Sequence, residues 1–502
     1  MSRIRVLFLL ALVCCTSAAL AANGISLATT KGNDTELEIN SPDVEFSKID
    51  VAGRQAMKVS LTGGAQSFEK NSPELPFFSA LVMVDPIKKP KVKISSIQSE
   101  VIRLDVPVVP SRGNFTRDID PINVPFVFGP AYSENKWYPS SDKLATIEAP
   151  FRFRDVRGVR LLVNPIQYNP VKNLLKIHRR FKVSIQGDGR DNRNIIETPI
   201  RISRVFEPYY KQAFINYKPL TKDLPKLQEN GRLLIICFDD FAEAMVPFIA
   251  WKKKCGIEVT FAKSSEAGKT AAEIKEFVQK EYAKGNLTHI LIVGDAPQVP
   301  TLKGVRENAD SDPCYTKLAG DDHVPDCIIS RLSATTPTQV SYQVAKVLNY
   351  EQFPSTGADA AWYRKSMGIA SNQGNPTDAV RADWLRDALL KWQITSVDQI
   401  YDPKATKAMI FDGLNSGRSL VNYIGHGSNT SWGTTGFNNV DCGKLVNGWK
   451  LPIIWSVACV NGNFVTGECF CEAWLKAGNV DKPAGAVAIF GATTNQEWVP
   501  PC

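Results

Sequence analysis

The sequence predicts an α/β domain built on a doubly wound, mostly parallel sheet, preceded by an all-β domain. Three observations predict it. From Leu233 onward short apolar runs alternate with amphipathic helical stretches, the texture of βαβ units. Two runs in this half, Ser-Leu-Val-Asn-Tyr-Ile-Gly-His-Gly closing at His426 and Leu-Pro-Ile-Ile-Trp-Ser-Val-Ala-Cys closing at Cys459, are nearly continuous in apolar residues. That is the pattern of inner strands covered on both faces. Cysteine divides the chain as well, with none between Asn23 and Ile236 and Cys237, Cys255, Cys314, Cys327, Cys442, Cys459, Cys469, Cys471 and Cys502 beyond.

In chain order, Met1 to Ala21 carries Arg3 and Arg5, an apolar run from Val6 to Val13, and a small-residue ending at Ala19-Leu20-Ala21. This is the build of a cleavable secretory signal, and its apolar run is short for a membrane span. Residues 22–222 alternate runs such as Ala80-Leu-Val-Met-Val, Lys91-Val-Lys-Ile and Lys182-Val-Ser-Ile with turns rich in Pro and Gly, and predict a sandwich or barrel. His178 lies in one such run and reads as a packed or solvated histidine. Lys218 to Arg232 is a polar, Pro-containing linker whose Lys218, Lys222 and Lys226 are candidate cleavage points.

Residues 223–502 form the α/β domain. Strands are predicted at Leu233–Phe238, Glu258–Phe261, His289–Asp295, Cys327–Leu332 and near Met367–Ala370. Helices are predicted over Phe241–Lys254, Thr270–Lys284, Thr338–Tyr350, Asp378–Trp392 and Ala405–Asn415. With 502 residues, 44% of them hydrophobic and 22% charged, the chain can bury two or three cores. Its formal charge of +8 is spread along the chain, so neither nucleic acid nor a membrane surface is an implied partner, and no later segment is apolar enough for a transmembrane helix. Zinc spacings, a P-loop and a dinucleotide fingerprint are absent from the sequence.

Ligands of parallel sheets bind beyond the carboxyl ends of the strands, where His426 and Cys459 would stand. A thiol ionised by an imidazole there can attack a carbonyl. Taken singly, a cysteine or histidine at a strand end is more often structural. The conjunction and its surroundings are more specific. Tyr423-Ile-Gly-His-Gly-Ser-Asn-Thr-Ser-Trp-Gly-Thr, Val457-Ala-Cys-Val-Asn-Gly-Asn-Phe, Cys469-Phe-Cys-Glu-Ala and Gly485-Ala-Val-Ala-Ile-Phe-Gly-Ala-Thr-Thr-Asn-Gln-Glu-Trp together resemble the gingipain family of secreted cysteine endopeptidases. Phe206-Glu-Pro-Tyr-Tyr-Lys-Gln-Ala-Phe-Ile-Asn-Tyr resembles the end of a gingipain propeptide.

The resemblance implies a caspase-like fold and a secreted precursor that hydrolyses proteins or peptides, its own propeptide acting as inhibitor. It implies Cys459 as nucleophile, His426 as general base, and the backbone N–H groups of Gly427 and Cys459 as oxyanion donors. The family's acid behind the histidine maps to Gln373, which can orient an imidazole but supplies no charge, leaving Asp378 as a substitute acid. The carboxylate that would pair a basic P1 residue, Arg or Lys, maps to Asp383, and the pocket wall to Gln496 and Trp498. The chemistry requires no cofactor. A structural calcium is an expectation for Asp321, Asp322, His323 and Asp326. Family domains continue past the equivalent of Trp498, so the catalytic domain is expected to be incomplete at Cys502. A sortase-like transpeptidase of the same fold and a non-catalytic secreted binding module stay open as alternatives. Apart from Cys459, the cysteines beyond Ile236 could pair or stay free.

Overall fold

The structure is a computed structural model that describes residues 24–498 except 42 and 199. The expected signal (1–21) and Cys502 lie outside the described residues.

The sheets of the N-terminal domain are built from antiparallel strands. In one sheet Ile25–Lys31, Asp34–Asn40, Leu174–Arg190 and Ile166–Asn169 follow in that order, and Lys88–Arg103 pairs with Leu174–Arg190 along most of its length. A second sheet joins Pro76–Met83 to Val156–Val163, flanked by Ala65–Gln66, Ala145–Ile147 and Phe151–Phe153. Alternate residues point inward, as strand geometry requires, so Leu37, Ile39, Phe181 and Val183 of one sheet share a single core with Phe78, Val82, Val159 and Leu161 of the other. His178 is buried here between Ser99 Oγ (2.9 Å) and Gln167 Oε1 (3.0 Å), a packed structural histidine.

The connection to the second domain is more ordered than its composition predicts. Helices Glu207–Ala213 and Tyr217–Thr221 bury Phe206, Tyr209, Tyr210, Phe214 and Tyr217 against Phe153 and Val156. Burying a side chain of this size contributes about 1.5–3 kcal/mol, enough to pin a segment that a count of Pro and Lys reads as a tether. Lys218 falls inside the second helix and Lys226 is held by Glu207, whereas Lys222 ends the helix with its side chain 74% exposed.

The second domain contains two parallel sheets. In the first, β1 (Arg232–Cys237), β2 (Glu258–Lys263), β3 (Leu287–Val293) and β4 (Ile328–Leu332) lie in the order β2-β1-β3-β4. In the second, β5 (Lys365–Ala370), β6 (Ser396–Tyr401), β7 (Leu420–Ile424), β8 (Ile453–Val457) and β9 (Ala488–Phe490) lie in the order β6-β5-β7-β8-β9. The longer helices are α1 (Val246–Lys254), α2 (Ala271–Ala283), α3 (Pro337–Gln352), α4 (Asp378–Lys391), α5 (Lys407–Ser416) and α6 (Phe470–Lys476). Local signals set their ends: Thr270 and Glu273 form a capping box at α2, and Pro337 follows the Thr336 cap of α3. The helix expected from Phe241 begins later, at Val246, after two 3₁₀ turns.

Sequence reading missed β6. Ser-Val-Asp-Gln-Ile-Tyr is an edge strand that buries only Ile400 fully, so it lacks the apolar continuity that marks β7 and β8. One face of the second sheet packs Ile410, Leu414, Phe470 and Trp474 of α5 and α6 on Val421, Tyr423 and Ile454, while α4 covers Ala370, Ile424 and Val457 on the other. The strand order reverses at β5, so β5, β7 and β8 release their chains side by side at the carboxyl edge where such sheets bind ligands.

Candidate active site

His426 follows β7 by one residue beyond Gly425. A Cβ at Gly425 would lie 2.6 Å from the Tyr423 hydroxyl, so the strand can end in this close turn only with glycine. The Tyr423 hydroxyl donates to the His426 carbonyl at 2.5 Å and the Gly433 N–H does so at 2.8 Å, fixing the backbone that carries the imidazole.

Cys459 follows β8 and is 3% exposed. The next residue, Val460, has φ +48°, a strained conformation for a β-branched side chain. Its N–H donates to Thr494 (3.1 Å), and the neighbouring Asn461 is buried in a network that overdetermines the turn. Asn461 accepts from Ser456 Oγ (2.8 Å) and donates to the carbonyls of Ser428 (2.6 Å) and Ser431 (3.1 Å), while Trp432 Nε1 donates to Ser456 (2.9 Å). The loop after His426 is thereby bonded to the loop after Cys459. Their backbones meet at Gly427, where a Cβ would lie 2.8 Å from Ala458 Cβ and 3.0 Å from the Cys459 carbonyl.

The loop after β5 carries Gln373, whose Oε1 is hydrogen-bonded to His426 Nε2. With the amide oxygen accepting, Nε2 carries the ring proton and Nδ1 is the basic nitrogen. The Trp498 indole, 6% exposed, stands edge-on to the imidazole with centroids 5.4 Å apart.

The cleft is filled by the N-terminal domain. Residues 115–117 run antiparallel to 496–498, with the Arg117 N–H donating to the Gln496 carbonyl (2.7 Å) and the Trp498 N–H to the Phe115 carbonyl (3.2 Å). The Arg117 guanidinium clamps Asp378 through both nitrogens, at 2.7 and 3.0 Å, and lies over the Trp498 ring at 4.7 Å. Asp378, the first residue of α4, also accepts from Ser371 Oγ at 2.6 Å. Past Arg117 the chain turns back, the Ile119 N–H bonding to the Thr116 carbonyl (3.0 Å) and Trp498 Nε1 to the Ile119 carbonyl (3.0 Å). Burial pushes the Cys459 thiol above its usual value, and the nearby Asp118 carboxylate adds to this. Gln496 contributes its backbone, the carbonyl lying 4.0 Å from Cys459 Sγ.

The structure thus brings together Cys459, His426, Gly427, Gln373, Gln496 and Trp498, but not Asp383. That carboxylate accepts from Gln399 Nε2 (2.7 Å) and Tyr401 OH (3.1 Å) on β6. Five residues along a helix turn a side chain about 140° around the axis, and Asp378 is the one that faces Arg117. Asp378, read from sequence as a substitute for the histidine's acid, bonds to Ser371 and Arg117 instead. Sequence reasoning missed Arg117, Ser371 and Asn461. A Thr-Asp pair opening a helix was the one local signal for Asp378, and Arg117 had none.

The acidic stretch expected to hold calcium has other partners. Asp326 accepts the Leu318 and Ala319 N–H groups, Asp322 those of Arg152 and Val324, and the Asp321 N–H donates to Asn194, so Arg152 and Asn194 of the N-terminal domain dock on this loop. Among the described residues no group of three or more His, Cys, Asp or Glu side chains could hold a metal ion. The eight described cysteines are all free thiols, and no described helix is long and apolar enough to cross a membrane.

Comparison with known proteins identifies the family of the chain. Residues 226–498 match the model of peptidase family C25, and residues 27–224 match the C25 propeptide. The chain belongs to peptidase family C25. Gingipain R1 of Porphyromonas gingivalis is 33% identical over 486 residues, covering 95% of this chain and 48% of the relative. Gingipain R2 of the same organism is 32% identical over 489 residues, 95% of this chain and 66% of the relative. Lys-gingipain is 27% identical over 474 residues, 91% of this chain and 27% of its own length. The C25 chain therefore spans about half the length of Gingipain R1 and less of Lys-gingipain. The crystal structure of the Arg-specific cysteine proteinase gingipain R superposes with a TM-score of 0.52 at 33% identity, over 55% of this chain and 65% of that one. The complex of the pro- and mature domains of the same Porphyromonas gingivalis enzyme gives 0.52 at 34%, over 54% and 66%.

Proposed function

We propose that this chain is a secreted, latent cysteine endopeptidase that cleaves after arginine and is held inactive by residues 115–119 of its own N-terminal domain. The observation that carries the reading is the buried, bidentate Arg117–Asp378 pair at the end of a segment bonded to 496–498 as a substrate strand would be. A forked carboxylate contact suits the planar guanidinium better than the point charge of lysine. On this reading Asp378, rather than Asp383, recognises the P1 side chain, and Arg117 occupies its place.

In the reaction Cys459 attacks the carbonyl of the P1 arginine, and His426 takes the thiol proton. The tetrahedral oxyanion is received by the N–H groups of Gly427 and Cys459, whose backbones lie together. Collapse passes the imidazolium proton to the leaving amine, and water then hydrolyses the thioester. Gln373 holds the imidazole in one tautomer without stabilising its charge. No cofactor enters the scheme.

Latency follows from substrate-like binding that stops short of reaction. The Ile119 N–H bonds to the Thr116 carbonyl and closes the Arg117–Asp118 bond into a tight turn, and burial disfavours the thiolate. Division near residue 222 suits release, because Lys222 ends its helix with its side chain 74% exposed.

The test is hydrolysis of fluorogenic peptides with Arg, Lys, Asn or Leu at P1 by the full chain after limited proteolysis, with Cys459→Ala alongside. Arg-P1 cleavage abolished by that substitution is the expected result. Absence of turnover from folded, processed protein would refute the reading.

A further inference from the structure

We propose that Ser371 is a positioning residue, coupling the presence of a guanidinium on Asp378 to the placement of His426. The inference rests on the peptidase reading above.

Ser371 is buried between two groups with different tasks. Its hydroxyl donates to Asp378 Oδ2 at 2.6 Å, the same oxygen that takes Arg117 at 2.7 Å, and its oxygen accepts the Gln373 N–H at 3.3 Å. Gln373 in turn holds His426 Nε2. Two backbone bonds close the loop, the Asp378 N–H to the Gln373 carbonyl (2.8 Å) and the Ala379 N–H to the Ser371 carbonyl (3.1 Å). Residues 371–378 therefore form one hydrogen-bonded unit, with the arginine-pairing carboxylate at one end and the imidazole's partner near the other.

A hydroxyl has one proton to give. With a guanidinium present, Asp378 shares its charge between that cation and Ser371. When the cation leaves, the carboxylate keeps the Ser371 hydroxyl as a donor, and its demand on that hydroxyl rises. Because Ser371 Oγ also accepts the Gln373 backbone N–H, the adjustment reaches the residue whose side chain fixes the imidazole tautomer. A P1 arginine would then orient the base as it binds, and a neutral P1 residue would leave the base less well placed. This predicts discrimination in kcat as well as in KM.

A second route runs beside it. Trp498 touches both the Arg117 guanidinium (4.7 Å) and the His426 ring (5.4 Å), so an experiment must separate the two.

The chain has four histidines, which makes 15N-histidine labelling of the intact protein practical. The ring 15N signals of His426, identified by their loss in His426→Gln, are compared among the parent chain, Arg117→Ala, Ser371→Ala and the double variant, with methylguanidinium as the added cation. Expected in the Ser371 background is a clear change of tautomer signal on Arg117→Ala, reversed by methylguanidinium. Expected in the Ser371→Ala background is a response about halved or smaller, and Ser371→Thr, which keeps a hydroxyl, restores it. Where alanine disturbs folding, Ser371→Cys supplies a weak donor of similar size. An equal response with and without the hydroxyl would assign the coupling to Trp498 and overturn the proposal, as would a His426 signal indifferent to Arg117.

The readout needs no turnover. Arg-P1 hydrolysis with an unresponsive His426 removes the coupling alone. A responsive His426 in a chain that cleaves no peptide removes the peptidase reading and leaves the coupling.

Discussion

Arg117 and Asp378 stand 261 positions apart and meet as a two-pronged ion pair with side chains 0% and 1% exposed. Neither charge has access to water, so each depends on the other. Breaking a buried pair from one side costs about 3–5 kcal/mol because the remaining charge is stranded. Arg117→Ala should therefore loosen the N-terminal domain by about that amount and raise the peptidase activity of the unprocessed chain. Arg117→Lys, which restores a point charge without the fork, should fall between. Thermal unfolding and peptide hydrolysis of the three chains check this.

Asp378→Asn keeps the shape of the site and removes its charge. In the processed chain kcat/KM for Arg-P1 peptides should fall about 10²–10³-fold, with a far smaller change for neutral P1 residues. Asp383→Asn should leave specificity unchanged, since that side chain serves Gln399 and Tyr401. The opposite ranking of the two variants would return the specificity role to Asp383.

Gln373 orients His426 without stabilising an imidazolium. Gln373→Glu should raise kcat about tenfold near neutral pH, whereas Gln373→Ala should lower it about 10–100-fold. A pH–rate profile of the processed chain reads both effects.

The loop that follows Arg117 is braced by Arg112, which donates to the Pro121 carbonyl at 2.5 Å and lies over the Phe126 ring at 4.5 Å. Without that brace the 116–119 turn should open, and the Arg117–Asp118 bond should extend across Cys459. Arg112→Ala is expected to be cut after Arg117, seen by mass spectrometry as a new fragment that disappears when Cys459→Ala is added. An intact loop in Arg112→Ala would assign latency to the turn itself.

Acid should destabilise the fold through two histidines. Burial pushes both His178 and His289 down to about 4. Between the ordinary histidine value and about 4 the unfolded chain binds protons that the folded chain refuses, so stability falls as pH drops through this window. The unfolding midpoint should decline from pH 6.5 to 4, and His178→Gln should flatten part of that decline.

Strands β7 and β8 were legible in the sequence because inner parallel strands must be apolar on both faces, and each run stops at a reactive residue. The edge strand β6 was not, since Ser396 and Gln399 face water and Ile400 alone is fully buried. The same contrast separates the site residues. His426, Gly427 and Cys459 are tied to strand ends, which sequence marks. Asp378 and Asp383 lie on one helix with the same chemistry, and choosing between them requires knowing which face of α4 meets the cleft.

By itself, the sequence determined a β-rich domain leading an α/β domain, and it marked the thiol and the imidazole, because hydrophobic periodicity and strand-ending glycines are local properties of the chain. Tertiary structure alone decided that Arg117 fills the cleft, that Asp378 receives it, and that Ser371 lies between Asp378 and Gln373. Ion pairs and hydrogen bonds depend on distances of about 3 Å in space, and separation along the chain does not encode them.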